Sequence, residues 1–360
     1  MTASNLRRRK VMDDGPATTP SIPPHVPVEA STKQSSREFL ARGSLGRFAL
    51  KRILVFPLTA IGASLLTFLL VKIIPGGPAY ARLGEEATPE QVARIEEQLG
   101  LDRPFIEQFL SWLGKALTGD FGQSFQTGFP ISEMVSETLP VTLQLTFLAI
   151  FGTCIVAIPL GVFAGKRAAR RPGRLIRSVS GVGLAIPDFF LALVLITFFS
   201  VWLSLLPQLG FVPFTENPAQ NLYHLLLPSL AMIMGGSAIV IRQVGAAMAD
   251  AMSSDYVRTA RAMGLSERTI TWRYAFRSVL PVVLSVVGLL SLGQLGSTLI
   301  LEQIFVLPGL GRTLLNAINL LDFPVIIGIV LVYVLIALLV NLAVDLLSGV
   351  VDPTVRKGIS

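Results

Sequence analysis

The chain alternates long apolar stretches with short polar connections, and six of the apolar stretches are long enough to cross a lipid bilayer. A spanning helix needs about 20 mostly apolar residues, because each residue advances about 1.5 Å through a hydrocarbon layer about 30 Å thick. The six stretches are residues 53–74, 139–165, 179–206, 225–244, 279–300 and 325–350. Pro187 falls inside the third and predicts a kink or a break there. The pattern therefore predicts an all-α polytopic membrane protein with six transmembrane helices.

Composition supports a membrane protein and excludes several other classes. Hydrophobic residues make up 52% of the chain and charged residues 15%, with a mean hydropathy of +0.64. The net charge of +7 does not indicate nucleic-acid binding, because the basic excess lies in short segments beside apolar stretches. The only cysteine is Cys154, and His25 and His224 are far apart in sequence. These counts exclude a disulfide framework, a cysteine-based metal site and a histidine cluster.

Lysine and arginine are concentrated in the connections that fall on one side of a six-span topology. The connection after the second stretch holds six basic residues and no acid, and the connection after the fourth stretch holds five. By contrast, residues 207–222 hold none, and residues 76–137 hold four against ten acids. Short loops rich in lysine and arginine remain in the cytoplasm. We therefore expect both termini to be cytoplasmic.

Polar segments lie at both ends of the chain. Residues 1–46 are rich in proline, serine and threonine, a composition that does not support a packed core. We expect this segment to be a disordered cytoplasmic tail, followed by the first transmembrane helix within residues 47–75. Residues 353–360 are expected to form a short cytoplasmic C-terminal tail.

The external segment, residues 76–137, carries signals for two helices. Thr88, Pro89 and Gln91 are typical of a capped helix start, and Gly100 is suited to ending that helix. We expect a second helix from Pro104, so that the two form a helical hairpin on the outer membrane surface. The apolar residues of the second helix are Phe105, Phe109, Trp112 and Leu113. Two interpretations of this apolar face stay open: contact with a soluble partner, or packing on the remaining helices.

The connection after the fourth stretch, residues 250–281, predicts a helix–turn–helix. Ser253 or Ser254 can cap a first helix that ends at Gly264, and Ser266 can cap a second helix that runs towards Pro281. Tyr256, Ala260 and Met263 share one stripe of the first helix, with Arg258 and Arg261 elsewhere. Such a unit suits docking into a groove of another protein. An ordinary basic loop that obeys the positive-inside rule is the alternative.

Residues 255–265 of this loop read DYVRTARAMGL, and Leu280-Pro281 follows. The stretch resembles the cytoplasmic EAA loop of ABC-importer permeases, above all its form in the oligopeptide/dipeptide family. The general pattern has Glu-Ala-Ala six to four residues before the glycine. Here those positions hold Arg258, Thr259 and Ala260, and the missing glutamate is usual in the peptide branch. Further resemblances follow in order within residues 47–356, at Lys72–Pro78, Leu99–Pro104, Gly119–Ser124, Pro140–Leu145, Pro308–Gly311 and Asp345 to Pro353.

The resemblance implies a type I ABC-importer permease fold in the bacterial inner (cell) membrane. Residues 138–352 would form the core five-helix domain, with residues 250–281 as its coupling loop. The implied partners are a homologous second permease, two ABC ATPase subunits and an extracytoplasmic substrate-binding protein. The sequence has no GxxxxGK[ST] phosphate loop, so we expect no catalysis, cofactor or metal here and ATP hydrolysis on the partner subunits. The residues expected to serve ATPase coupling are Asp255, Tyr256, Arg258, Thr259, Ala260, Arg261, Ala262, Gly264, Leu265 and Pro281.

The resemblance leaves the cargo open. The family most often carries di- or oligopeptides, while relatives carry nickel, glutathione or sugars, and the soluble binding protein largely sets specificity. Gly288, Gly293 and Gly296 are expected to let helices approach closely, either as plain packing or during movement.

Two functions outside the family would each require a further feature in the sequence. A self-contained secondary transporter or channel would need inverted repeats or a ring of intramembrane charges. A membrane-embedded enzyme would need paired catalytic groups within the spans. The sequence shows neither feature, since the span charges Asp188, Glu302 and Asp345 lie near segment edges without an evident relay.

Overall fold

The computed structural model describes residues 45–73, 88–99 and 103–351, and in these ranges every long element is a helix. The predicted N-terminal tail, residues 1–46, lies outside the described residues except for Leu45 and Gly46, which begin the first helix. The predicted C-terminal tail, residues 353–360, also lies outside them, as do residues 74–87, 100–102 and 352. The helices are α1 (Leu45–Ile73), α2 (Pro89–Leu99), α3 (Phe105–Leu117), α4 (Ile131–Lys166), α5 (Arg171–Gly183), α6 (Asp188–Leu195), α7 (Pro218–Ser253), α8 (Asp255–Ala262), α9 (Glu267–Thr269), α10 (Phe276–Phe305), α11 (Leu310–Asn319) and α12 (Phe323–Val351).

Several of these helices have the length and apolarity that a membrane span requires. Four helical runs qualify alone among the described residues, and they contain α4, α7, α10 and α12. The pair formed by α5 and α6 qualifies as a fifth, bent span, and α1 contributes a shorter apolar helix over Ile53–Leu69. The chain is therefore a multi-pass membrane protein, while the count of six remains a prediction.

The third predicted stretch is broken rather than continuous. The axes of α5 and of the segment Asp188–Trp202 differ by 98°, and Pro187 stands at the break with extended backbone before the first residue of α6. Proline disfavours helical conformation in the residue before it, so the chain turns there. Residues 179–183, expected at the start of the span, belong instead to α5. A π-helical stretch, Ile196–Trp202, continues α6.

The centre of the fold is the contact of α4 with α7 and α10. Gly165 allows α4 and α7 to touch, since a Cβ there would lie 2.5 Å from the Gly245 carbonyl oxygen. Gly288 does the same for α10 and α12, where a Cβ would lie 2.7 Å from Val344 Cγ1. A Cβ at Gly293 or Gly296 meets nothing within 4 Å. The close approach predicted for the three glycines of α10 is thus seen within the chain only at Gly288.

The two helices of the external segment form as predicted. Thr88 and Gln91 make a reciprocal cap, in which Thr88 N donates to Gln91 Oε1 at 3.0 Å and Gln91 N donates to Thr88 Oγ1 at 3.4 Å. The second helix, α3, begins after Pro104. Its apolar face packs on residues of α1 and α12, namely Phe68, Phe323 and Ile327. Of the two interpretations of this face, the structure therefore favours packing on the remaining helices.

Candidate functional site

The loop of residues 250–281 folds into a short helix, a glycine turn and a second helical segment that continues into α10. The helix α8 ends at Ala262, and Gly264 follows with φ +77°. Its turn is closed by two backbone bonds, from Gly264 N to Arg261 O at 3.0 Å and from Leu265 N to Ala260 O at 3.2 Å. Glycine adopts this left-handed conformation without the steric cost that a Cβ brings. The predicted turn is therefore present, and its backbone conformation favours glycine at this position.

The second segment begins as predicted and runs further than predicted. Ser266 caps it by accepting from Thr269 N at 3.3 Å. By contrast, Ser254 precedes α8 but its hydroxyl donates to Ala251 O at 2.6 Å instead of capping the helix. The segment passes through a π-helical stretch, Ile270–Ala275, into α10. Pro281 lies inside α10, so it does not end the segment.

One face of the loop is buried against the spans. Val257, Ala260, Ile270 and Ala275 are buried in a cluster with residues of α4, α7 and α10, and Leu265 packs against it. The stripe predicted from Tyr256, Ala260 and Met263 does not form one surface, because Ala260 is buried while Met263 is 74% exposed. The loop is therefore fixed to the core along Val257 and Ala260.

The opposite face of the loop is exposed and mixes apolar with basic residues. Arg258 contacts only Asp255 among the described charged residues, at 3.4 Å, and both side chains are exposed. Such a pair contributes little to stability. Arg268, Thr269, Trp272 and Arg273 line a shallow cavity of about 380 Å³. This face is chemically suited to a partner that offers apolar and acidic groups.

An ion-pair cluster ties the turn to the end of α4. Arg261 Nε donates to Glu267 Oε1 at 2.7 Å across the glycine turn. Lys166 Nζ, at the last residue of α4, lies 3.7 Å from Glu267 Oε2. Tyr256 and Ser278 share a hydrogen bond of 2.9 Å, which joins α8 to α10. The turn is thereby connected to two spans by polar contacts as well as by apolar packing.

The opposite end of α10 carries an arrangement that sequence reasoning missed. Glu302 is fully buried, and its carboxyl group accepts from Thr142 Oγ1 at 2.6 Å, Gly311 N at 2.7 Å and Arg312 N at 3.1 Å. Thr142 also accepts from Leu310 N at 2.8 Å. We call these residues of α4, α10 and the start of α11 the Glu302 clamp. A carboxylate at a helix N-terminus is favourable both for the backbone N–H groups and for the helix dipole.

The glycines of the motif Pro308–Gly311 explain why the clamp fits. A Cβ at Gly309 would collide with the Glu302 carboxyl group, and a Cβ at Gly311 would lie 2.6 Å from Leu299 Cα. The sequence placed Glu302 near a span edge, yet nothing local indicates a partner 160 residues earlier in the chain. The only available signal was the adjacency of Glu302 to a glycine-rich helix start.

The helices, their bent third span and the loop before α10 define an ABC-importer permease. The chain matches the family described as "Binding-protein-dependent transport system inner membrane component" over residues 157–357, and its N-terminal counterpart over residues 45–146. The chain belongs to this family and is a permease subunit of a transport system.

The chain matches curated relatives over nearly their whole length. A Brucella abortus (strain 2308) protein named "Putative peptide transport system permease protein" is 38% identical over 81% of this chain and 93% of its own length. The glutathione transport system permease protein GsiC of Escherichia coli (strain K12) is 34% identical, over 86% and 98% respectively. Inward-facing MetNI methionine ABC transporter is similar in fold, with a TM-score of 0.52 and 17% identity over 61% of this chain and 96% of that chain.

Proposed function

We propose that this chain forms half of the translocation path of an ATP-driven peptide importer, and that its 250–281 loop receives the movement of the ATPases. It pairs with a homologous second permease. Two ATPase subunits bind on the cytoplasmic side and hydrolyse the ATP. A soluble binding protein delivers di- or oligopeptides from the outside of the bacterial inner membrane, and both termini are cytoplasmic.

The observation that carries this proposal is the two-sided construction of α8. Its buried residues Val257 and Ala260 sit in the cluster that joins α4, α7 and α10. Its exposed residues Asp255 and Arg258, together with Met263 directly after the helix, face away from that cluster. A partner that moves the exposed face therefore displaces the spans, because a close-packed interior transmits displacement instead of absorbing it.

Peptide cargo is supported by the names of the relatives. One relative is named for peptide transport and another for glutathione, which is itself a small peptide. Glutathione is the second candidate for that reason. Uptake of labelled dipeptides and of labelled glutathione is measured in vesicles that contain the complete importer, and the substrate that is taken up identifies the cargo. If neither is taken up, the proposed cargo is contradicted.

The coupling role is tested at Gly264. A valine there strains the left-handed backbone, where a β-branched residue is a clear outlier, while asparagine tolerates it. A Cβ at this position meets nothing within 4 Å, so the two variants differ in backbone preference and not in collision. We expect Gly264→Val to insert normally but to lose ATP-driven uptake, and Gly264→Asn to retain most of it.

The measurements are membrane content, peptide uptake and ATPase activity stimulated by the binding protein. Normal membrane content separates the coupling defect from a folding defect. If Gly264→Val retains stimulated ATPase activity that stays coupled to uptake, the loop does not have the proposed role.

A further inference from the structure

A cavity of about 370 Å³ lies among the spans, at the break between α5 and α6. Its walls come from that break and from the middle parts of α7 and α10. The cavity volume falls at the lower end of the range of about 300–1,000 Å³ that is usual for small-molecule sites. The polar side chains in its lining are Asp188, Gln294 and Ser297. The cavity is thus both large enough for a small peptide and chemically equipped to bind one.

Asp188 brings a carboxylate to this cavity. Its Oδ2 accepts from Ser297 Oγ at 2.7 Å, and its Oδ1 lies against Gly235, where a Cβ would leave no room for the carboxylate. No lysine or arginine among the described residues forms an ion pair with it. A carboxylate within the spans is costly unless it pairs with a cation or lines a water-filled path. The arrangement therefore leaves a place for a cation that another molecule supplies.

Gln294 provides a second, independent indication. Its side chain is 2% exposed and its Nε2 donates to Met232 O at 3.0 Å. Its Oε1 is buried without a hydrogen-bond partner in the described part of the chain. Buried acceptors of this kind are rarely left unpaired, because desolvation without a hydrogen bond costs free energy. A group with several N–H donors that enters the cavity can supply one to Oε1 of Gln294 and another to the carboxylate of Asp188.

A purely structural role for Asp188 is the competing explanation. Asp188 is the first residue of α6, where a negative charge favours the helix dipole, and its bond to Ser297 joins α6 to α10. This role depends on shape and on an oxygen acceptor, both of which asparagine retains. It leaves Oε1 of Gln294 unexplained. The charge of Asp188 can therefore be tested separately from its shape.

We propose that Asp188, Gln294 and Ser297 form a site in the translocation path that binds the primary ammonium group of the passing peptide. The carboxylate of Asp188 neutralises the ammonium group, and Oε1 of Gln294 accepts one of its hydrogens. An ammonium group has three donors, and the cavity lining offers oxygen acceptors on Asp188, Gln294 and Ser297. The inference rests on the proposed function for its cargo, but the site itself can be measured without transport.

The chain has a single cysteine, so a thiol can be moved to a chosen position by two substitutions. Replacing it by Cys154→Ser and adding Gly293→Cys places one thiol in the cavity wall, where a Cβ meets nothing within 4 Å. The rate at which a thiol reagent labels this residue is measured in membrane vesicles that contain the complete importer. Three peptides serve as probes. Alanyl-alanine carries a terminal ammonium group, N-acetyl-alanyl-alanine carries none, and N-acetyl-alanyl-lysine carries one on its side chain.

We expect alanyl-alanine to slow the labelling and N-acetyl-alanyl-alanine to leave it unchanged. Protection by N-acetyl-alanyl-lysine as well would assign the site to any primary ammonium group, and its absence would assign it to the peptide N-terminus. In the Asp188→Asn background, the concentration of alanyl-alanine that halves the rate should rise about tenfold or more, as expected for one lost charge-assisted contact. The exposed loop variant Glu216→Gln should leave it unchanged.

Equal protection by the peptide without an ammonium group would overturn the proposal, and so would full protection in Asp188→Asn. ATP-driven uptake of alanyl-alanine by vesicles with the unsubstituted chain tests the proposed function separately. Protection without uptake would contradict the peptide importer and leave the ammonium site standing. Uptake without protection would support the peptide importer and contradict the ammonium site.

Discussion

Replacing Thr142 by valine should release the N-terminal end of α11 from the Glu302 clamp. Valine has nearly the same shape as threonine, so the change removes the hydroxyl group without opening a cavity. The hydroxyl donates to Glu302 Oε1 at 2.6 Å and accepts from Leu310 N at 2.8 Å, and both contacts are buried. The variant therefore loses one bond to an acidic group and leaves one backbone N–H without an acceptor.

The magnitude follows from these two contacts. A hydrogen bond to a charged group contributes about 1.5–3 kcal/mol, and an unsatisfied buried donor costs about 1–3 kcal/mol. We expect Thr142→Val to destabilise the local structure by about 2–5 kcal/mol, since the two effects overlap. Amide hydrogen exchange in α11 should then become at least about thirtyfold faster, because exchange through local opening follows the free energy of that opening.

The matched control lies one turn further along α4. Thr146 is buried, but its hydroxyl has no hydrogen-bond partner in the described part of the chain. Thr146→Val should therefore be neutral or slightly stabilising, because it removes a buried polar group that gains nothing. Exchange in Leu310–Asn319 is measured by mass spectrometry on the purified protein in both variants. Equal exchange in the two variants would refute the clamp.

Two further predictions concern close contacts between distant parts of the chain. Asp322 is buried and accepts hydrogen bonds from Ser124 and Phe125 in the turn that follows α3. Asp322→Asn should therefore lower the local stability by about 1–3 kcal/mol and speed amide exchange in that turn. Unchanged exchange would contradict this. Gly288→Ala should lower the melting temperature, because the new Cβ collides with Val344. Gly296→Ala has open space and should raise the melting temperature, because alanine adds up to about 1 kcal/mol of helix propensity to the free energy of unfolding. Equal shifts in the two variants would show that packing at Gly288 is not tight.

The parts of the fold that the sequence predicts are those fixed within a few residues. Helices such as α7 and α12 follow from the length of an apolar stretch. The break before α6 follows from Pro187, and the start of α2 follows from Thr88 and Gln91. Each depends on neighbours in the sequence, which is why pattern alone identifies it.

The parts that the sequence does not predict depend on pairs far apart in the chain. Thr142 meets Glu302 across 160 residues, and Ser124 meets Asp322 across 198. The stripe expected on α8 fails for a related reason. Tyr256, Ala260 and Met263 are apolar in character, but only the position of α7 and α10 decides that the buried face is the one carrying Val257. Periodicity gives the helix, and tertiary packing selects its inner side.

The helix α10 connects the 250–281 loop, the cavity and the Glu302 clamp. Its first residues, 276–281, form the end of the loop, its middle carries Gln294 and Ser297, and its last turn carries Glu302. Its 30 residues extend about 45 Å, and Pro281 near its start permits a bend without breaking the remainder. A tilt imposed at the loop would therefore change the cavity and, through the clamp, move α11 as well. We therefore expect that in Thr142→Val a tilt of α10 no longer moves α11, so that uptake falls while ATPase docking stays intact. In Gly264→Val the movement of the ATPases should not be transmitted to α10 at all.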